Sequence, residues 1–305
     1  MTMRIAIGLD TDGAFERTLA RATRLREQGF RAMWSSQIFG PDTLTVLAML
    51  GRELRDVDFG TAVVPVQPRH PSMLAAQART VQEAIGGSLS LGIGLSHQVV
   101  VEGLWGISFD RPASYMHEYV SVLAPMLRGE SVAVHGERVS AVAASAVGPK
   151  ETRTPGLLIA ALGPKMLEIA GSMTDGTVLW MTGRKTIASH ISPLVREAAM
   201  KAGRPEPRVV CSLPIVVSDD VNAARERVNK EYALYATLPS YAAMLEREGA
   251  SAPADVALVG SRSQVLEALD ELALAGVSEF SGVPSGDAGE RDAALEVLLE
   301  YASTH

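Results

Sequence analysis

Short apolar runs alternate with amphipathic segments from one end of this chain to the other, and that alternation restricts it to a parallel sheet wrapped by helices. Eight runs have strand character: Arg4 to Leu9, Arg31 to Ser35, Asp58 to Val64, Ser88 to Gly94, Leu157 to Ala161, Thr177 to Met181, Val209 to Val217 and Glu279 to Val283. Between them lie helical segments such as "AFERTLARATRLREQG", "PSMLAAQARTVQEAIGG" and "SQVLEALDELALAGV". Their apolar residues recur at three and four, and glycine closes the first two. Eight strands and 305 residues suit a (β/α)8 TIM barrel with insertions, and 47% hydrophobic residues supply its core. The reading is one domain over residues 1–305. Two segments exceed a bare barrel: residues 128–153, with weak strand character, and residues 238–260, which add a helix before the last unit. Insertions of this kind often cover active sites.

The formal charge of -7 comes from scattered carboxylates, which argues against nucleic acid or an anionic membrane as partner, so any phosphate must be held locally. The single cysteine, Cys211, lies in the apolar run "RVVCSLPIVV" and reads as a buried thiol. The opening run "MRIAIGLD" is too short for a signal segment or a membrane span, and no later run approaches spanning length. A cytoplasmic protein is expected.

In a barrel of this type the chemistry sits at the carboxyl ends of the strands. In "SLSLGIGLSHQ" a dinucleotide-binding turn would need a third glycine where His97 stands, so the nucleotide reading fails. The strand ends are poor in paired carboxylates, which argues against glycosidase or enolase-like chemistry. "HEYVS" has Ser121 where a zinc protease needs histidine, and neither a Walker lysine nor a G-x-S-x-G elbow occurs. No metal site is expected. Glycines and small residues remain, a lining suited to a large planar cofactor. "ALGPK" presents Gly163, Pro164 and Lys165 at a helix start, and "MTGRK" presents Gly183, Arg184 and Lys185 one strand later. The two turns can clamp one phosphate; ordinary capping with solvated lysines is the alternative.

Several blocks taken together resemble a known family. "GTAVVPVQPRHPSMLAAQARTVQEAIGGSLSLGIGLSH" and "TPGLLIAALGPKMLEIAGSMTDGTVLWMTG" resemble the strand three to four and strand five to six regions of the bacterial luciferase-like superfamily. "SFDRPASYMHEYVSVL", "LPSYAAMLEREG" and "DVALVG" are similar to its coenzyme F420-dependent oxidoreductase branch. The resemblance covers nearly the whole chain. It implies a luciferase-like TIM barrel holding a deazaflavin at its mouth, with Ala62, Val63, Gly94 and Ser96 on the ring and the turns at Gly163 and Gly183 on the phosphate. It implies a non-proline cis peptide between Ala62 and Val63. His97 falls where sugar-phosphate dehydrogenase relatives carry an acid, Gln37 where they carry histidine and Ser36 where they carry aspartate. These departures point to a reductase, moving a hydride between deazaflavin C5 and a small organic substrate with an activated C=C, C=N or C=O bond. His97 and Gln37 are the candidate catalytic residues, His97 as proton donor from an ordinary pKa near 6.5. A homodimer is the family-level expectation.

Other polar residues have plainer readings. His70 fixes a loop, Asp10 and Asp12 bind substrate or cap the first helix, and Arg111 anchors the chain by an ion pair. Trp34 and Trp105 pack, while Trp180, near a strand end, can line a pocket. His117, His135, His190 and His305 belong to no constellation. Two rival functions share the fold: an FMN-dependent monooxygenase, and a barrel that binds a cofactor without turnover.

Overall fold

A computed structural model describes residues 2–37 and 39–305. Eight parallel strands form the barrel: β1 (Arg4–Gly8), β2 (Ala32–Ser35), β3 (Asp58–Thr61, resuming at Val64–Pro65), β4 (Leu89–Gly94), β5 (Gly156–Ile159), β6 (Gly176–Trp180), β7 (Arg208–Val217) and β8 (Glu279–Pro284). Each pairs with the next, and β8 pairs with β1 through Arg4 opposite Glu279, which closes the ring. The helices between and after them are α1 (Phe15–Gln28), α2 (Thr43–Glu53), α3 (Pro71–Ala84), α4 (Pro112–Leu127), α5 (Pro164–Met173), α6 (Arg184–Thr186, a π turn Ile187–Ile191, then Ser192–Lys201), α7 (Arg262–Leu274) and α8 (Ala288–Thr304). All eight strand expectations fall on barrel strands.

Strand alternation divides the core in two. On β7, Val209, Cys211, Leu213 and Ile215 join the large cluster that includes the helix faces. Val210 joins Ala6, Ala32, Trp34, Leu158 and Val178 in a separate inner cluster. Full burial pushes the Cys211 thiol pKa up, which agrees with the inert reading. The amino-terminal end of the barrel is plugged by a polar knot. Arg208 donates to Glu279 at 2.8 Å and to Ser90 at 2.9 Å, and Trp34 Nε1 donates to the other Glu279 oxygen at 2.6 Å. Trp34 fits because Gly60 faces it; a Cβ there would lie 2.4 Å from the indole. Above this filled lower half, a cavity opens at the carboxyl-end mouth.

The two additions differ in their use. Within residues 128–153, Val132–His135 and Ser140–Ala143 form an antiparallel hairpin beside α3 and α4, and Arg111 reaches it through an ion pair with Glu137 at 2.6 Å. None of its residues lines the mouth cavity. The second addition begins earlier than residue 238: after β7 come helices Val221–Glu231, Ala233–Thr237 and Pro239–Glu248 and the strand Leu258–Gly260, which extends the sheet beside the end of β7. This segment does cover the mouth.

Candidate active site

The mouth holds a cavity of about 670 Å³ that touches the ends of β1 to β4 and of β6 to β8. Its most irregular wall is β3. Gly60 pairs with Ser90 and Val64 with Ile93, so four steps on β3 face three on β4, and the extra residue makes a bulge. The Ala62–Val63 peptide in that bulge is cis. Glycines on β4 make room for it, since a Cβ on Gly94 would stand 2.6 Å from the Val63 side chain. Thr61 fixes the near side by donating to Gly92 O at 2.7 Å and accepting from Gly92 N at 2.8 Å. Ala62 and Val63 line the cavity, and Gly94 lies directly behind Val63.

Beyond β4 the chain turns sharply. Ser96 has φ of 57°, a left-handed conformation, and His97 follows as the residue that starts the short helix Gln98–Gly103. Both line the cavity. The His97 ring lies 5.8 Å from the ring of Tyr241 in the second addition. Burial lowers the His97 pKa below 6.5, so the imidazole is neutral at pH 7. That differs from the expectation of an ordinary pKa, because burial favours the neutral imidazole.

Gln37 also lines the cavity, but its amide oxygen is engaged, accepting from Arg69 at 3.0 Å and from Thr43 N at 3.3 Å. Arg69 in turn pairs with Asp42 at 2.6 Å. The carboxylate of Asp42, which burial alone would push up, is held low by Thr45 and Arg69. Neither Asp10 nor Asp12 caps α1, whose first turn has no side-chain cap. Asp10 accepts from Asp12 N at 2.9 Å, and both acids line the cavity rim. His70 does fix its loop, starting α3 and bonding Ser140 O at 3.2 Å, and His190 is spent on Leu162 O at 2.8 Å.

The floor combines small side chains, among them Gly8, Ala62, Ser212 and Ser281, with the Trp34 indole. Ser212 and Ser281 sit opposite one another on β7 and β8, and neither hydroxyl has a hydrogen-bond partner among the described residues. The cover is aromatic. Trp180 packs edge-on against Tyr232 and Tyr235, each at 5.6 Å, and Tyr235 packs against Tyr241 at 5.3 Å. Tyr232 donates to or accepts from Ser285 at 2.8 Å, and burial pushes its pKa up to about 12. Trp180 lines the pocket as its strand-end position allows, whereas sequence reasoning missed the tyrosines, although one signal was present: three of the six fall between positions 232 and 241.

The two expected anion turns are not equivalent. At Gly163 the turn is open: α5 starts without a side-chain cap, Gly163, Pro164 and Lys165 are exposed, and nothing lies within 4 Å of a Cβ built on Gly163. At Gly183 the anion is already supplied by the protein. Glu248 accepts from Lys185 N at 3.1 Å and Thr186 N at 2.7 Å, and Arg184 pairs with Glu271 at 2.7 Å. The expected pairing of both turns on one phosphate is therefore corrected: Gly183 and Arg184 face carboxylates of this chain. None of these five residues lines the 670 Å³ cavity itself.

A closed parallel barrel with a bulged third strand and a large cavity at the carboxyl ends of its strands defines a class, and sequence comparison agrees. The family model described as luciferase-like monooxygenase matches residues 1–302, and the chain belongs to that family. A 5,10-methylenetetrahydromethanopterin reductase of Methanolobus tindarius is 28% identical over 214 residues, covering 68% of this chain and 64% of the relative, just under two-thirds of its length. The coenzyme F420-dependent tetrahydromethanopterin reductase of Methanopyrus kandleri superposes with a TM-score of 0.84 at 19% identity, covering 100% of this chain and 99% of the other. A type II Baeyer-Villiger monooxygenase of Pseudomonas putida in complex with FMN has a TM-score of 0.76 at 16% identity over 100% and 99%. No helix among the described residues is long and apolar enough to cross a membrane, and no group of three or more metal-ligating side chains occurs among them.

Proposed function

We propose that the protein is an F420-dependent oxidoreductase, acting as a reductase on a small organic molecule with an activated C=O, C=N or C=C bond. The observation that carries this reading is the mouth itself, where small side chains with two unpartnered hydroxyls lie next to a bulged β3 and a half-buried histidine whose pKa burial lowers. Such a floor fits a planar ring with a polar edge, because larger side chains would fill the space and buried hydroxyls need partners. Ala62 and Val63 would support the ring face, Ser212 and Ser281 would meet its polar edge, and the open turn from Gly163 to Lys165 would take the phosphate. The bound deazaflavin supplies or accepts a hydride at C5 and, with carbon in place of N5, reacts poorly with oxygen.

The residues of the chain do the rest. His97, neutral at pH 7, donates its ring N–H to the substrate heteroatom and polarises the bond toward hydride at carbon. The heteroatom then takes its proton from solvent through the imidazole. Gln37 braces the β2 loop through Arg69 and Thr43, so its contribution is to position and not to transfer a proton. The aromatic cover keeps water from the reacting atoms.

Parallel fluorescence titrations of the purified protein with F420 and with FMN test this reading. Saturable micromolar binding of F420 with weaker FMN binding is expected. Preference for FMN would move the protein to the oxygen-using branch, and binding of neither would refute the cofactor reading.

A further inference from the structure

The aromatic cover has a composition that barrel packing does not require. The chain is poor in aromatic residues, with three tryptophans, six tyrosines and six phenylalanines in 305 residues. Seven of these fifteen, Trp34, Phe39, Trp105, Trp180, Tyr232, Tyr235 and Tyr241, line the cavity at the mouth. Part of their surface anchors the second addition, packing on Met181, Leu245 and Val256. Even so, Trp180 and the three tyrosines remain only half-buried, and Phe39 is 67% exposed at the rim. Aromatic side chains left with free faces inside a cavity are surfaces for another ring, since edge-to-face and offset pairs add attraction beyond simple burial.

The position of the wall separates it from the floor. Strand ends build the floor, which has the small side chains that a cofactor ring needs. The wall comes mainly from the segment inserted after β7, and its last ring, Tyr241, stands beside His97. A group held on Tyr235 and Tyr241 is therefore carried to the imidazole.

We propose that the site selects substrates whose reducible bond is conjugated to an aromatic ring, with that ring seated against Tyr235 and Tyr241 and the reducible bond beside His97. This rests on the hydride-transfer reading above. The wall acts as the specificity element, and it acts in binding, before any chemistry.

Binding tests it without turnover. Protein saturated with oxidised F420, which cannot donate a hydride, is titrated calorimetrically with benzaldehyde and with cyclohexanecarboxaldehyde, which have the same carbon skeleton with and without the aromatic ring. Benzaldehyde should bind about three- to ten-fold more tightly. Tyr235→Leu and Tyr241→Leu should erase that preference and leave F420 affinity unchanged, whereas Tyr235→Phe and Tyr241→Phe should keep it. The Phe pair decides the matter if a Leu variant fails to fold. Equal binding of the two aldehydes, binding of neither, or Leu variants that lose F420 while keeping the preference would overturn the proposal. If wild-type protein binds no F420, the hydride-transfer reading fails by itself, and the same aldehyde pair on the cofactor-free protein still decides whether the wall selects aromatic rings.

Discussion

Glu248→Ala should separate the anchoring of the aromatic cover from the stability of the barrel beneath it. In the native protein the Glu248 carboxylate accepts from Lys185 N and Thr186 N, while Gly183 provides no side-chain cap for α6. The helix is thus capped by a residue 64 positions after its start, and the same contact ties the second addition to the barrel. Losing a cap costs about 1 kcal/mol, and hydrogen bonds to an ionised acceptor contribute about 1.5–3 kcal/mol before water replaces them. A net loss of about 1–2 kcal/mol is expected, or a fall in Tm of roughly 3 °C. Because Tyr241 lies on the same helix as Glu248, KM for the substrate should rise while F420 affinity stays constant. Glu248→Gln keeps an acceptor oxygen and should recover part of both losses. Differential scanning calorimetry and steady-state kinetics read the two effects. Unchanged Tm with unchanged KM in the Ala variant would show that the contact neither caps the helix nor holds the wall.

The remaining expectations concern the floor, the phosphate turn and the imidazole. His97→Ala should lower turnover much more than it lowers F420 affinity; equal turnover would remove His97 from the mechanism. Because burial depresses the His97 pKa, the break in kcat/KM that His97→Gln abolishes should fall below pH 6.5, and a break at or above 6.5 would contradict its burial. Between the lowered pKa and 6.5 the unfolded chain binds a proton that the native chain refuses, so this group makes stability decline as pH falls through that window, measurable as a Tm difference from His97→Gln. Gly163→Asp should fold normally, since its Cβ meets nothing within 4 Å, and should weaken F420 binding through charge, with Gly163→Ala near wild type in the same titration. Gly60→Ala should destabilise by about 1–3 kcal/mol in urea unfolding, because its Cβ would stand 2.4 Å from the Trp34 ring; wild-type stability would mean that the indole moves freely.

Strand positions were legible because parallel strands buried on both faces read as short continuous apolar runs, such as Val209 to Val217, set between amphipathic segments. The barrel's closure was not written in any one run; it followed from counting eight. Local rules served the site unevenly. A glycine and a lysine at a helix start mark Gly163 and Gly183 alike, but the second turn is filled by a glutamate more than sixty residues away. Spacing carries no trace of such a contact. His97 was placed at its strand end by sequence, whereas its lowered pKa arises from tertiary burial. The tyrosines were visible as a cluster, but only the folding of residues 221–260 back over the mouth turns the cluster into a wall.

Division of labour between the strand ends and the inserted segment explains how the mouth can be specific while its charged residues, such as Asp10, Asp12, Arg21 and Arg291, are exposed. The floor repeats what any barrel strand can offer, small side chains and backbone, and makes no demand on substrate shape. On the proposed reading, discrimination then falls to a segment that the barrel does not need for closure, joined to it by the Leu258–Gly260 strand beside β7 and by Tyr232 on Ser285. His97 stands where the two meet, with its backbone set by the left-handed turn at Ser96 and its ring against Tyr241. Moving the wall therefore changes which bond reaches the imidazole, while the floor continues to receive the same cofactor ring.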